Sequence, residues 1–275
     1  MEFTTIGRAM KETGLSYLGG INISAKLVKN KKVSGQYTYI IYLAPAKTSG
    51  YQVCSHSTPE CRGGCLNESG RAGMEISCGR SFIRDARIKK TKLFFEHTAF
   101  FMAWMIAEIK KYQIMAEQDN YGFSVRLNGT SDIDWAKVLV NGKNIFQIFP
   151  DVTFYDYTKN PNKFKELPAN YHLTFSYTGR NAYLCEALLE KGFNVAVVFD
   201  VKKKKPLPES FYGYRVIDGD LTDYRPDDDK GVIVGLRFKQ IANKEAMKAL
   251  KESCFVVNPA VLQGAMSNVQ NLAVA

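Results

Sequence analysis

Residues 172–199, HLTFSYTGRNAYLCEALLEKGFNVAVVF, read as a strand, a helix and a second strand. Residues 172–175 are a short apolar run, and 195–199 (VAVVF) carry no polar interruption, as in a strand covered on both faces. Between them 181–191 have helical character, with Asn181 placed as N-cap and Gly192 as the stop. Strand, helix, strand is the repeat of a parallel α/β arrangement, because a crossover helix lets two strands run in the same direction.

The same alternation extends outward. Residues 37–43 (YTYIIYL) are rich in β-branched and aromatic types and are closed off by Pro45, and further strand-length apolar runs lie at 123–127, 152–155, 214–217 and 232–236 (VIVGL). Helices are expected at 133–149 and, much longer, at 81–116, where Phe94, Ala99, Met102, Ile106 and Ile109 fall near one face and Lys90, Lys110 and Lys111 toward solvent. The predicted fold is α/β, a partial or irregular (β/α) barrel of about six to seven mostly parallel strands, with a doubly wound sheet as the other solution. Residues 1–36 are expected as an irregular N-terminal extension, 37–257 as a single α/β domain and 258–275 as a tail.

Composition agrees with a globular chain: 275 residues, 45% hydrophobic and 23% charged. The longest apolar stretch, 99–107, is far short of the roughly 20 residues that span a bilayer, and the start has no signal-peptide pattern. A reducing cytoplasm is the expected compartment, in which clustered cysteines point to metal or redox chemistry rather than to disulfides.

Such a cluster follows the strand at 37–43. Cys54, Cys61, Cys65 and Cys78 are separated by six, three and twelve residues, on a stretch dominated by Ser, Thr, Pro and Gly. Thiolates this close in sequence can converge on one soft metal centre. No Cys-x2-Cys pair is present, so the spacing points to an iron–sulfur cluster, 4Fe-4S first. Zinc on Cys54, Cys61 and Cys65 with His56 or Cys78 is the alternative. Cys185 and Cys254 lie in apolar runs and read as ordinary buried thiols.

In parallel α/β folds the site forms at the carboxyl ends of the strands. Here those ends supply Arg126, Asn128, Ser131, Asp132 and Asp134, then Tyr155, Asp156 and Tyr157, then Ser176 and Arg180, and finally Asp218, Asp220, Asp223 and Arg225. Arg126, Asn128, Asp134, Tyr155, Asp156, Ser176, Arg180, Asp218 and Asp220 are the expected lining of a small-molecule pocket. Ser131 or Ser176 with His172 and Asp132 would make a hydrolase site, although no Gly-x-Ser-x-Gly elbow is present. Asn128 and Asp132 also suit a turn and a helix cap, Asp218 and Asp220 a solvated acidic turn, and His172 a structural place at the start of a strand.

Charge is divided unevenly: residues 1–95 hold 15 Lys and Arg against 6 acids, and residues 96–275 hold 22 against 21. Arg80, Arg84, Arg87, Lys89, Lys90 and Lys92 form a basic run at 80–92 that suits nucleic acid or serves as a solvated face beside a thiolate centre. A binding module stapled by zinc or a cluster is therefore the alternative to an enzyme with a small-molecule substrate. A surface cluster loop also admits a homo-oligomer.

The cysteine loop after a first strand is similar to that of the radical S-adenosylmethionine enzymes. That superfamily's Cys-x3-Cys-x2-Cys is matched here only by Cys61 and Cys65, so an S-adenosylmethionine cofactor does not follow. A longer likeness runs through CSHSTPECRGGCLNESGRAGM (54–74), RIKKTKLFF (87–95), VRLNGTSDIDW (125–135), FPDVTFYDYTK (149–159), NYHLTFSYTGRN (170–181), VIDGDLTDYR (216–225) and GVIVGLRFK (231–239). These stretches resemble the phage-encoded gene product 88 family over about residues 52–255. The resemblance implies a bacteriophage origin, a host-cytoplasm setting, and Cys54, Cys61 and Cys65 as the family's cysteine motif.

Overall fold

Ten strands, most of them paired in parallel, and eight α-helices make up the described chain, a mixed α/β structure. The structure is a computed structural model describing residues 1–23, 25–65, 81–239 and 244–259. Cys78, Arg80 and most of the expected tail lie outside the described residues. Two compact units can be told apart. The first comprises Met1–Ser57, Cys65–Thr174 and Thr222–Asp228, the second Thr58–Gly64, Phe175–Leu221 and Asp229–Ala275.

In the first unit the strand order is β1 (Gly19–Gly20), β2 (Gln36–Ile41), β3 (Gly122–Arg126), β4 (Thr153–Thr158) and then β5 (Tyr171–Ser176), whose last two residues count with the second unit. β2, β3 and β4 are parallel, with Ile40 opposite Arg126 and Val125 opposite Phe154. Alternation along a strand sends successive side chains to opposite faces. Tyr39, Ile41, Val125 and Phe154 join an apolar core with Phe101, Met105 and Ile109, while Thr38, Ser124 and Tyr155 form a hydrogen-bonded polar row: Thr38 Oγ1 lies 3.0 Å from Ser124 Oγ and 3.2 Å from the Tyr155 hydroxyl.

The stretch expected to be irregular contains α1 (Ile6–Thr13), β1 and α2 (Ala25–Ser34). Leu15, Leu18 and Ile21 enter the core, and the Glu108 carboxylate holds this segment through the amides of Leu18 (3.0 Å) and Gly19 (2.9 Å) and the Tyr39 hydroxyl (2.6 Å). Gly19 is required by space: a Cβ there would stand 2.5 Å from the Tyr39 ring. Lys90, expected in solvent, is instead buried and donates to the Leu18 carbonyl at 2.7 Å. Burial outweighs the pull of Glu108 and brings its pKa down to about 8.

The single long helix expected at 81–116 is two, α4 (Phe82–Glu96) and α5 (Thr98–Gln118). His97, at φ −139°, breaks the run, and Thr98 Oγ1 takes the Phe94 carbonyl at 2.7 Å. The break lets Phe94 and Phe101, one from each helix, both pack on Trp135. Ala99, placed on the apolar face by periodicity, is exposed. The helix expected at 133–149 is also absent as such. Trp135–Lys137 form one 3-10 turn, and Asn141 and Gly142 both take positive φ in a two-residue turn joining the Val140–Lys143 bridge. α6 (Ile145–Ile148) then starts from a capping box of Asn144 and Gln147. Asn-Gly is a strong short-range hairpin signal, and it overrides the helical pattern around it.

The second unit contains α3 (Pro59–Gly63), α7 (Ala182–Glu190), β6 (Asn194–Phe199), β7 (Ser210–Phe211), β8 (Tyr214–Asp218), β9 (Ile233–Arg237), α8 (Lys244–Glu252) and β10 (Val256–Val257). The strand order is β6-β9-β8-β7 with β10 on β6; all pairs are parallel except β7 with β8. Among the described residues no helix is long and apolar enough to cross a membrane.

Candidate functional site

The loop leaving β3 is organised around one buried side chain, Asn128. Its amide oxygen accepts from Ser131 Oγ (2.9 Å), the Ile133 amide (2.9 Å) and Trp135 Nε1 (3.2 Å). Its amide nitrogen donates to the Ile133 carbonyl (3.1 Å) and Asp156 Oδ2 (3.3 Å), and its backbone N–H donates to Asp156 Oδ1 (2.9 Å). Asp132 accepts from Thr158 Oγ1 (2.8 Å), the Lys159 amide (2.9 Å) and Lys163 Nζ (2.6 Å). Gly129 sits where a Cβ would meet Tyr42 at 2.6 Å, and its N–H reaches the Ile41 carbonyl. The turn reading of these residues is thus realised in detail.

This loop also supports the one that leaves β2. Thr130 Oγ1 donates to the Leu43 carbonyl at 2.5 Å, and the Asp132 amide to the Val53 carbonyl at 2.8 Å. Cys54 stands on the supported loop, its sulfur accepting the Ala46 N–H at 3.4 Å and lying 3.9 Å from the Thr130 carbonyl. Beside it opens a groove of about 310 Å³, lined by Gln52, Val53, Ser55, Phe94, Phe95, Asp132, Ile133, Asp134, Val138 and Asn160. Of the expected pocket residues, Asp134 is in its wall, where it also pairs with Lys137 at 3.0 Å; Asp132 lies there too.

Arg126, Tyr155 and Asp156 form a second buried group. The Arg126 guanidinium meets Asp223 at 2.6 Å and lies against the rings of Tyr155 and Tyr157, while its Nε, 3.9 Å from Asp156, makes no hydrogen bond. Burial works against the guanidinium's charge, but Asp223, Tyr155, Tyr157 and Asp156 together outweigh it and hold Arg126 firmly protonated. Burial pushes the Asp156 carboxyl up to about 6, against the opposing effects of Arg126, the Asn128 amide and the Tyr171 hydroxyl, which donates at 3.0 Å. The Tyr155 phenol is raised by burial as well and stays protonated.

His172 is exposed as the second residue of β5, and the Ser176 carbonyl accepts from Asn181 Nδ2 at 3.0 Å. Arg180 is exposed and pairs with Glu60 at 3.2 Å. Asp218 and Asp220 flank the Arg237 guanidinium, which reaches Asp218 at 2.7 and 2.8 Å and Asp220 at 3.2 Å.

Cys54, Cys61 and Cys65 are half-buried and outside any disulfide. In the second unit Cys61 rides on α3, where Thr58 caps the helix by accepting the Cys61 N–H at 3.1 Å, and Gly64 packs against Leu250 of α8. Among the described residues no group of three or more His, Cys, Asp and Glu side chains is drawn up to hold a metal. Cys185 is buried, as expected, and burial pushes its thiol up to about 12; Cys254, expected to be buried, is exposed because it follows the end of α8 instead of lying inside an element.

Several members of these networks carry no sequence signal. Lys163, Tyr171, Asn30 and Thr38 are each ordinary residues in the sequence, and their roles come from distant partners: Asn30 accepts from Thr222 Oγ1 at 2.8 Å and from the Asp223 amide at 3.2 Å. Of the basic run, Arg84 and Arg87 are half-buried and Lys90 is buried, which leaves Lys89 and Lys92 as its exposed described members.

A family model described as Gene product 88 matches residues 20–254. No curated protein matches the chain, and no solved structure matches it.

Proposed function

The chain belongs to the gene product 88 family, and from that premise we propose that it is a bacteriophage protein of the host cytoplasm that carries an iron–sulfur cluster on Cys54, Cys61 and Cys65 and takes a small molecule in the groove beside Cys54. The observation that carries the reading is the placing of Cys54: a half-buried thiol on a loop held by the Asn128 turn, receiving a backbone N–H at 3.4 Å, next to a groove of about 310 Å³. Backbone N–H groups directed at sulfur are a means by which proteins stabilise and tune thiolate-bound clusters.

The ligands are assigned by motif. The described thiols are not drawn up as a finished set, so no reaction step is routed through the cluster. When bound, the cluster would supply electron transfer or, at an iron with an open position, Lewis acidity. The chain's own contribution is the groove. Phe94, Phe95, Ile133 and Val138 offer an apolar wall, and Gln52, Ser55, Asp134 and Asn160 offer polar positions that would orient a small ligand with one flat apolar side. Closure of the parallel strands into a partial barrel belongs to this reading.

Iron, sulfide and zinc counted per chain after anaerobic purification test it. Iron and sulfide in equal numbers, lost in Cys54→Ser, Cys61→Ser and Cys65→Ser and kept in Cys185→Ser, are expected. One zinc per chain with no sulfide would overturn it.

A further inference from the structure

We propose that the turn of residues 202–205 is a docking surface for the phosphate backbone of nucleic acid. Four consecutive lysines, Lys202, Lys203, Lys204 and Lys205, follow β6 and precede Pro206. All four are exposed, and among the described residues none of their ammonium groups is paired with a carboxylate. The nearest acid in sequence, Asp200, is taken by Lys251 at 2.9 Å.

The backbone that displays them is fixed. The Lys205 N–H closes the turn on the Lys202 carbonyl at 2.9 Å, and the Lys205 carbonyl accepts from Arg237 Nε at 3.0 Å. Arg237 is itself clamped by Asp218 and Asp220, so the base of the turn is tied into β9 and the loop after β8. A tied turn loses little backbone entropy on binding.

Chemistry selects the partner. Ammonium groups are compact point charges without the fork that matches carboxylates in pairs, and the turn holds no buried aromatic anchor of the kind that fixes a protein partner. A repeating line of phosphates needs neither. Sequence-independent contact of this sort releases one counterion for each phosphate neutralised. The basic run at 80–92, which suits the same partner or a solvated face by sequence, has Lys90 folded into the core; the four lysines at 202–205 are on the surface.

The test is fluorescence anisotropy of a short labelled DNA duplex with intact protein, titrated across salt. A log–log slope of about −2 to −4 is expected, since Z phosphates give roughly −0.9Z. Lys→Gln at all four positions is expected to weaken binding at low salt at least tenfold and to flatten the slope by a similar two to four, with an unchanged thermal melt. The pair Lys203→Gln and Lys204→Gln should give about half the change in slope, and this pair decides the matter if the fourfold variant melts differently. Equal binding by the variants would overturn the assignment. So would no binding by the parent protein at low salt, or polyglutamate held by the same lysines as tightly as the duplex. Metal content does not enter this readout, so failure here and failure of the cluster reading are separable.

Discussion

The loops that leave β2 and β3 start from neighbouring parallel strands and treat their polar groups in opposite ways. After β3, Asn128 and Ser131 are spent inside the protein, the Asn128 amide taking part in five side-chain hydrogen bonds, and Asp132, although it reaches the groove wall, is met by a hydroxyl, an amide and an ammonium. After β2, Cys54 is carried on a loop that is just as well supported, yet its thiol is left half-buried beside a groove. A polar residue at a strand end can thus be scaffold or site. Exposure after its hydrogen bonds are counted separates the two.

The largest effect that would break this contrast is on the scaffold side. Asn128→Ala removes the acceptor shared by Ser131 Oγ, the Ile133 amide and the Trp135 indole N–H, and it is expected to cost about 3–5 kcal/mol in urea unfolding. A loss under about 1 kcal/mol would mean that the turn is not scaffold. Next is Lys163→Met. The Lys163 and Asp132 side chains are 2% and 11% exposed, so removing the cation leaves a largely buried carboxylate and should cost about 3 kcal/mol. Adding Asp132→Asn should return part of that loss, which a double-mutant cycle measures.

Asp156 sharpens the contrast through pH. Its folded pKa, about 6, lies above the ordinary aspartate value near 4. The folded protein therefore holds more protons than the unfolded chain in that window. The group's stabilising contribution is full below about pH 4 and is lost as pH rises through 6, on the order of 2–3 kcal/mol. The stability difference between parent and Asp156→Asn, followed from about pH 4 to pH 7, should show this fall. A flat difference would place Asp156 in a wetter setting than the structure gives it. Smallest in stability is Cys54→Ser, expected to change metal-free unfolding by less than about 1 kcal/mol while abolishing metal retention.

How much of this was legible depended on the range of the signal. The seven strands expected from apolar runs are all present, because β-branched and aromatic residues mark each one locally. The three that were missed, β1, β7 and β10, are two residues long and exist through their neighbours' hydrogen bonds. The helix boundaries failed at His97 and at Asn141-Gly142, where single residues override a pattern averaged over a window. In the candidate site, polar residues at strand ends stood out, but their roles did not. Asp132 finds Lys163 at a separation of 31 residues, and Arg126 finds Asp223 at 97. Lys90 was misplaced for the same reason: its partner carbonyl is 72 residues away.

The most direct test of the central claim is the ultraviolet–visible spectrum of anaerobically purified protein, beside the same preparation of Cys54→Ser. A brown protein with a broad band near roughly 400 nm, the signature of thiolate-bound iron–sulfur chemistry, and loss of that band in the variant are expected. A colourless parent protein with stoichiometric zinc, or a band that survives Cys54→Ser unchanged, would contradict it.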